Sequence, residues 1–294
     1  MSEQSNTQSR SWPSSQELVR EIVEGLNADP VDLLSNGNAS GERRYLEMLC
    51  PQYLRTLDEL RTILFDGSIR DPTQVRVLEI GSFLGVICFA LRHLGFQVAA
   101  QDIPEFQNNP RLQARFRQAG IEFAAVNLRR RQLPYPNSHF DLVILCEVLE
   151  HLNFNPLPVI KELNRVMKPA GLLYLTVPNQ LSAGNRLKLL RGRSIQAQVE
   201  EFHQQLDPKT NMIVGLHWRE YSKADVFRLL EPMGFSIRRH YFYQDDKSYR
   251  YKRLKFSLKD LLGEFLPSLR PIHVVLAEKV AEDTHQFAAT DAVM

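Results

Sequence analysis

Cysteine is scarce and never clustered. Cys50, Cys88 and Cys146 are the only three in 294 residues, and they form no CxxC pair, so neither a zinc site nor a disulfide framework is expected and a reducing compartment fits. Long apolar runs are missing too: no stretch of about 18 apolar residues occurs, which leaves nothing to span a bilayer as a helix. The opening MSEQSNTQSRSWPSS has no apolar centre of the kind a secretion signal needs, so a cytoplasmic setting is expected. Charge of one sign is also lacking. Lys and Arg number 36 against 34 Asp and Glu, a net charge of +2, too balanced to point to nucleic acid by itself. No internal repeat is present. What remains is an ordinary globular composition, 44% hydrophobic and 24% charged, which can support a sizeable core.

The N-terminal third reads as helical. SSQELVREIVEGL predicts a helix with Ser14 as its cap and Glu17 at the capping-box position. DPVDLLSNGNASG reads as a linker, and ERRYLEMLCPQYLRTLDELRTILF as a helix kinked or broken at Pro51. From about residue 75 the period changes. QVRVLEIG, FQVAAQD, IEFAAVN, HFDLVILCE and LLYLTVPN read as strands. VICFALRHLG, PRLQARFRQAG and LPVIKELNRVMKPAG read as the helices between them. Such alternation, with nearly continuous apolar runs in the strands, predicts a doubly wound, mostly parallel α/β sheet with helices on both faces. Residues 181–216 break the pattern and read as an insertion. SKADVFRLLEPMGF, capped by Ser222, resumes it, and SIRRHYFY and RPIHVVLAEKV close it as strands.

VLEIGSFLG holds the chemistry of the first strand tip. A ligand in an open parallel sheet binds beyond the carboxyl ends of the strands. Gly81 and Gly85 would let it approach the backbone. Asp102 ends the next strand, 21 residues after Gly81, where an acid can hold both hydroxyls of a ribose. A dinucleotide fingerprint would need a glycine where Phe83 stands. Glu79 would repel a phosphate but suit an ammonium. An adenosine ligand with a cationic head and no phosphate is S-adenosylmethionine.

With these motifs the chain resembles the class I S-adenosylmethionine-dependent methyltransferases over residues 45–280 or so. VLEIGSFLG is similar to their first motif and VAAQDI to the second. VNLRRRQLPYPNSHFDLVILCEVLEHL is similar to the third and fourth. LNRVMKPAGLLYLTVPN resembles the turn and fifth strand, with Ala170 in place of one glycine, and LHWREYSKADVFRLLEPMGF a segment near the C-terminus. The resemblance implies a Rossmann-like sheet of seven strands whose last strand is antiparallel, in a domain over 41–281 that includes a lid at 181–216. Residues 1–40 are then a flexible tail with a short helix, and 282–294 a flexible C-terminal tail. It also implies roles: Glu79 facing the methionine amino group, Gly81 and Gly85 leaving room for the methionine, Asp102 on the ribose, Asn127 and Leu128 at the adenine, and Cys146 and Glu147 near the sulfonium.

CEVLEHL bears on the acceptor. If it opens a helix, Glu147, Glu150 and His151 share one face. They could bind a divalent metal, Mg²⁺ if oxygens dominate, with His217 or His203 as a further ligand. The pattern resembles that of ubiquinone-biosynthesis O-methyltransferases and small-RNA 2′-O-methyltransferases, both metal-dependent. Alternatively, His151 is a metal-free general base, or Glu150 and His151 only orient the loop. In HWREY, His217, Arg219 and Tyr221 either meet the acceptor or lock the insertion down, and Trp218 packs. The basic run 129–131 reads as solvated. NRLKLLRGR and YFYQDDKSYRYKRLKF could grip an anionic or lipid-linked substrate at a membrane surface, or stack on RNA. The expected activity is methyl transfer to a hydroxyl of a saccharide, lipid-linked intermediate or secondary metabolite. An RNA 2′-O-methyltransferase and a cofactor-binding scaffold without turnover are the alternatives, the last favoured if Phe83 closes the pocket.

Overall fold

The computed structural model describes residues 13–33, 39–64, 71–107, 109–130, 132–204, 215–244 and 263–286. Helix α1 (Ser15–Ala28) starts at the expected place. Ser14 Oγ accepts from Glu17 N–H, and Glu17 returns a bond to the Ser14 backbone, so both halves of the capping box are made. Helix α2 (Ala39–Leu64) runs through Pro51 without ending. Losing one N–H costs the helix a bond. The continuous buried row Leu46, Cys50, Leu57, Leu60 and Leu64 holds it in place.

The sheet then forms in order. Strand β1 (Arg76–Ile80) leads to α3 (Val86–His93), β2 (Gln97–Asp102), α4 (Pro104–Gln107), α5 (Pro110–Gln118) and β3 (Glu122–Ala125). Strand β4 (Phe140–Cys146), α6 (Leu157–Val166) and β5 (Met167–Pro178) follow. Within 181–216 stand α7 (Ala183–Leu190) and α8 (Val199–Gln204); after it come α9 (Lys223–Leu230), β6 (Phe235–Tyr243) and β7 (Ile272–Lys279). The seven strands lie in the order β3-β2-β1-β4-β5-β7-β6, and β7 is antiparallel to both neighbours. The sheet is the expected one, α/β and open.

Period-2 alternation sorts the strand residues between two cores. Val77, Val98, Ala100, Leu142 and Ile144 pack with α1, α2, α3 and α5 on one face. Leu78, Ile80, Val143, Leu145 and Val177 pack with α6 and α9 on the other. The helix inside residues 1–40 thus shares a core with the sheet, through Leu18, Val19, Val23 and Leu26.

One boundary differs from the sequence reading. Met167–Gly171 is not the end of a helix. The helix stops at Val166, and these residues begin β5, where the pairing with β4 shifts register between Phe140 and Leu142. Ala170 takes the left-handed φ of 61°, and Lys168 ties the bulge to Asp141 at 2.7 and 2.8 Å. Most of the aromatic-basic stretch YFYQDDKSYRYKRLKF lies outside the described residues. Among the described residues no helix is long and apolar enough to cross a membrane.

Candidate active site

Strand order reverses between β1 and β4: the chain runs outward through β2 and β3, then returns to pair β4 with β1. A crevice at such a reversal is where parallel sheets take ligands. A cavity of about 890 Å³ opens there. That lies near the upper end of ligand pockets, about 300–1,000 Å³, so there is room for two small molecules.

Glu79 reaches this cavity because it shares the α3 face of β1 with Val77. Its Oε2 accepts from Cys88 Sγ at 2.8 Å, and burial pushes its carboxyl up to about 8. Beyond β1 the turn is tight: Gly81 N–H and Ser82 N–H both donate to Gln101 O, at 2.9 and 3.1 Å. Asp102 is aimed into the turn. Its Oδ2 accepts from Phe83 N–H and its Oδ1 from Ile103 N–H, each at 2.7 Å, while burial raises its carboxyl to about 6. A carboxylate oxygen that accepts once can accept again, so two hydroxyls can still be held.

Phe83 does not close the pocket. It adopts a φ of 49°, a left-handed conformation costing about 1–2 kcal/mol. Its ring stands edge-on to Tyr45 at 5.3 Å and to Phe106 at 6.1 Å. The three rings make a wall, and Glu79, Gly81 and Asp102 still line the open space.

The structure gives the two glycines a reason other than room for a ligand. Both have positive φ, 73° and 80°. A Cβ on Gly81 would lie 2.5 Å from Val148 Cγ2, and one on Gly85 would lie 2.7 Å from the Phe116 ring. Gly81 lines the cavity, but Gly85 points into the core and does not.

Asn127 and Leu128 lie on the rim beyond β3. Asn127 Oδ1 accepts from Arg129 N–H at 3.0 Å. Arg129 is no solvated bystander: its guanidinium lies 4.7 Å over the Phe154 ring and donates to Asn153. Arg129 thereby ties the rim to the loop after β4. Cys146 ends β4 in the cavity, its thiol pushed up to about 12 by burial and so protonated.

CEVLEHL does not open an α-helix. Glu147 has a left-handed φ of 54°, and only Leu149–His151 turn, as one 3-10 turn. Glu147 therefore lines the cavity but stands apart from Glu150 and His151. The group that does assemble is Glu150, His151 and His217, whose ligating atoms lie within 4.8 Å of one another; His203 is not in it. Glu150 is 0% exposed, and neither carboxyl oxygen finds a hydrogen bond among the described residues. Burial holds its carboxyl well above the usual carboxylate range, with Glu147 adding to the effect.

His151 Nδ1 lies 3.2 Å from Leu216 O. A carbonyl can only accept, so Nδ1 carries the hydrogen and Nε2 is bare. Nε2 lies 3.8 Å from Glu150 Oε1, and the His217 ring stands edge-on at 4.8 Å. Burial, then His217, pulls His151 down to about 4. Burial thus disfavours charge on both the imidazole and the acid at this corner. One carboxyl and two imidazoles suit a borderline transition metal better than Mg²⁺, which wants oxygens.

Most of HWREY holds the loop. Trp218 N–H and Arg219 N–H both donate to Glu150 O, at 2.7 and 3.3 Å. Tyr221 is buried with its hydroxyl 3.5 Å from Leu149 O, and Arg219 pairs with Asp225 at 3.5 Å. Trp218 packs on Phe202 at 5.7 Å. His217 and Glu220 face the cavity.

Sequence reasoning named no residue of the opposite wall, which an N-terminal helix supplies. Tyr45, Met48, Leu49, Gln52, Tyr53 and Thr56 of α2 line the cavity. Their spacing of i, i+3, i+4, i+7, i+8 and i+11 marks one helix face. That period was readable; what it faced was not.

The buried Glu79 carboxyl should make cofactor binding pH-dependent. Ionising it in the empty site is costly, so a cationic ligand must pull off its proton. Between pH 5.5 and 7, S-adenosylmethionine affinity measured by calorimetry is expected to rise roughly tenfold, with net proton release in buffers of different ionisation enthalpy. Glu79→Gln should flatten this dependence.

Residues 23–239 match the family model described as "Methyltransferase domain". The chain is 31% identical over 116 residues to a ubiquinone biosynthesis O-methyltransferase of Xanthomonas campestris pv. campestris, covering 39% of this chain and 48% of that protein. It is 29% identical over 121 residues to the enzyme of that name from Xanthomonas oryzae pv. oryzae, covering 41% and 50%. The chain thus spans about half the length of the curated relatives it matches. A SAM-dependent methyltransferase of Methanosarcina mazei superposes with a TM-score of 0.51 at 22% identity, covering 75% of this chain and 98% of that one. A protein of Pyrococcus horikoshii OT3 does so with 0.51 at 18%, covering 87% and 98%. At those identities the likeness is one of fold. The family match takes in well over half of the chain, and with the seven-stranded sheet and its crevice it places this protein in the methyltransferase-domain family.

Proposed function

We propose that the enzyme methylates a hydroxyl of a small or medium acceptor, with His151 as the base. The observation that carries this is the bare Nε2 of His151, fixed by the Leu216 carbonyl and kept unprotonated by burial. S-adenosylmethionine supplies a methyl group made electrophilic by its sulfonium. The residues present fit it: Glu79 for the ammonium, Asp102 for the ribose hydroxyls, Asn127 and Leu128 beside the adenine, and Gly81 and Cys146 along the methionine and sulfonium. The acceptor would lie between the α2 wall and the Glu150–His151–His217 corner. Its oxygen would lose its proton to Nε2 as it takes the methyl group. The imidazolium so formed would lie 3.8 Å from the Glu150 carboxyl. The relatives' names, O-methyltransferases, support oxygen as the acceptor atom. A saccharide, a lipid-linked intermediate or a secondary metabolite fits the size of the space.

A second reading has one observation in its favour. The two unbonded oxygens of Glu150, beside two imidazoles, are what a bound cation would satisfy. That cation would be held by Glu150, His151 and His217 and would lower the pKa of the acceptor hydroxyl. A methyl-transfer screen against acceptor pools, with and without chelator, separates the two. Activity on hydroxylated acceptors that survives chelation supports the base. Activity lost to chelator and restored by a metal supports the cation. Transfer only to nitrogen or carbon acceptors sinks the proposal.

A further inference from the structure

Helix α7 and the turn after it carry a surface that methyl transfer does not explain. Residues 179–198 contain Arg186, Lys188, Arg191 and Arg193 and no acid. Several cations elsewhere are paired, Arg165 with Glu162, Lys168 with Asp141, Arg238 with Glu278 and Arg239 with Glu59. Among the described residues no carboxylate lies within ion-pair distance of these four. Leucines stand exposed among them: Leu190 is 84% exposed, Leu189 57% and Leu181 45%. A helix that ends in two bare leucines flanked by cations pays for that exposure in water unless something covers it.

We infer that α7 and the turn after it dock on an anionic lipid bilayer. Leucine side chains can enter the boundary between head groups and acyl chains, while long basic side chains stay among the phosphates. Charge complementarity selects the occupant. Four cations without an ion-pair partner, and with no acid interspersed, fit a negative surface. The side chains between them are leucines rather than the aromatics on which nucleic-acid bases stack. The same segment borders the cavity through Lys188, Ile195 and Gln198. Docking would therefore place the cavity mouth at the membrane surface, where an amphiphilic acceptor can enter. That choice of acceptor rests on the hydroxyl-methylation reading above; the docking itself does not.

Co-sedimentation of the full chain with vesicles of phosphatidylglycerol and phosphatidylcholine tests it, against vesicles of phosphatidylcholine alone. The expected result is binding to the anionic vesicles only, weakened by salt. Arg191→Gln with Arg193→Gln should weaken it roughly tenfold to thirtyfold, and Leu189→Ser with Leu190→Ser should also reduce it. Both pairs lie outside the cavity lining, so cofactor affinity by calorimetry should be unchanged and reports that the fold is intact. Failure of the wild-type chain to bind anionic vesicles overturns the inference, as does equal binding to both vesicle types. Full binding by variants that keep cofactor affinity overturns it too, as does retention on an RNA homopolymer without retention on vesicles. Loss of vesicle binding with methyl transfer to a soluble acceptor unchanged would leave the catalytic reading standing on its own.

Discussion

Asp102→Ala should raise the dissociation constant for S-adenosylmethionine by roughly 10²- to 10⁴-fold. Two hydroxyls bound to a buried charged acceptor contribute about 1.5–3 kcal/mol each, and every 1.4 kcal/mol is about tenfold in affinity. The carboxylate also holds the turn, through the N–H groups of Phe83 and Ile103. Part of the loss would therefore come from loosening Phe83, which sits at a strained φ and needs that bond. Asp102→Asn separates the two contributions, since an amide oxygen can keep one backbone bond but has only one acceptor atom. Calorimetry should rank wild type, Asn and Ala in that order, with circular dichroism unchanged. Wild-type affinity in the alanine variant would remove the ribose role.

His151→Ala should lower kcat by about 10²- to 10⁴-fold, the usual contribution of a positioned general base, and leave cofactor affinity unchanged. The better control is His151→Asn, whose amide can still donate towards the Leu216 carbonyl but offers no basic nitrogen. It should be as inactive as alanine and as stable as wild type. The sign of the pH dependence follows from burial. A histidine lowered to about 4 loses its proton well below neutrality. The acid limb of kcat should therefore fall below about pH 5, instead of near 6.5 where an unperturbed histidine titrates. The limb set by Glu79 belongs to cofactor binding and should appear in kcat/KM for the cofactor, not in kcat. An acid limb at 6.5 that persists in His151→Asn would assign the base elsewhere.

The side of the cavity built by the first two strand tips was legible because it is local. An acid two residues before a glycine, a turn, and a second acid at the end of the next strand all lie on consecutive elements, so spacing places them. The acceptor half was not. Whether Glu147, Glu150 and His151 share a face depends on a single backbone torsion, the positive φ of Glu147, and no side-chain pattern announces it. His217 joins His151 from 66 residues away through backbone bonds to the Glu150 carbonyl. Gly85 followed the motif in sequence but answers to Phe116, a contact across α5 that spacing does not reveal. Arg129 looked solvated because nothing in a run of arginines predicts the Phe154 ring beneath one of them.

Helix α2 faces the cavity, yet it comes before the first strand and takes no place in the sheet. On the proposed reading, the wall that would meet the acceptor can thus diverge while the strand tips that would hold the methyl donor stay fixed. A graft of another helix at 39–64 has to preserve the buried leucine row, Tyr45 edge-on to Phe83, and the ties of Glu42 to the Asp32 and Leu33 N–H groups and of Glu59 to Arg239. Everything between can change, and with it which molecule is modified. Such a cassette would let one scaffold be retuned, by descent or by design, through the cavity-facing residues at 48, 49 and 52.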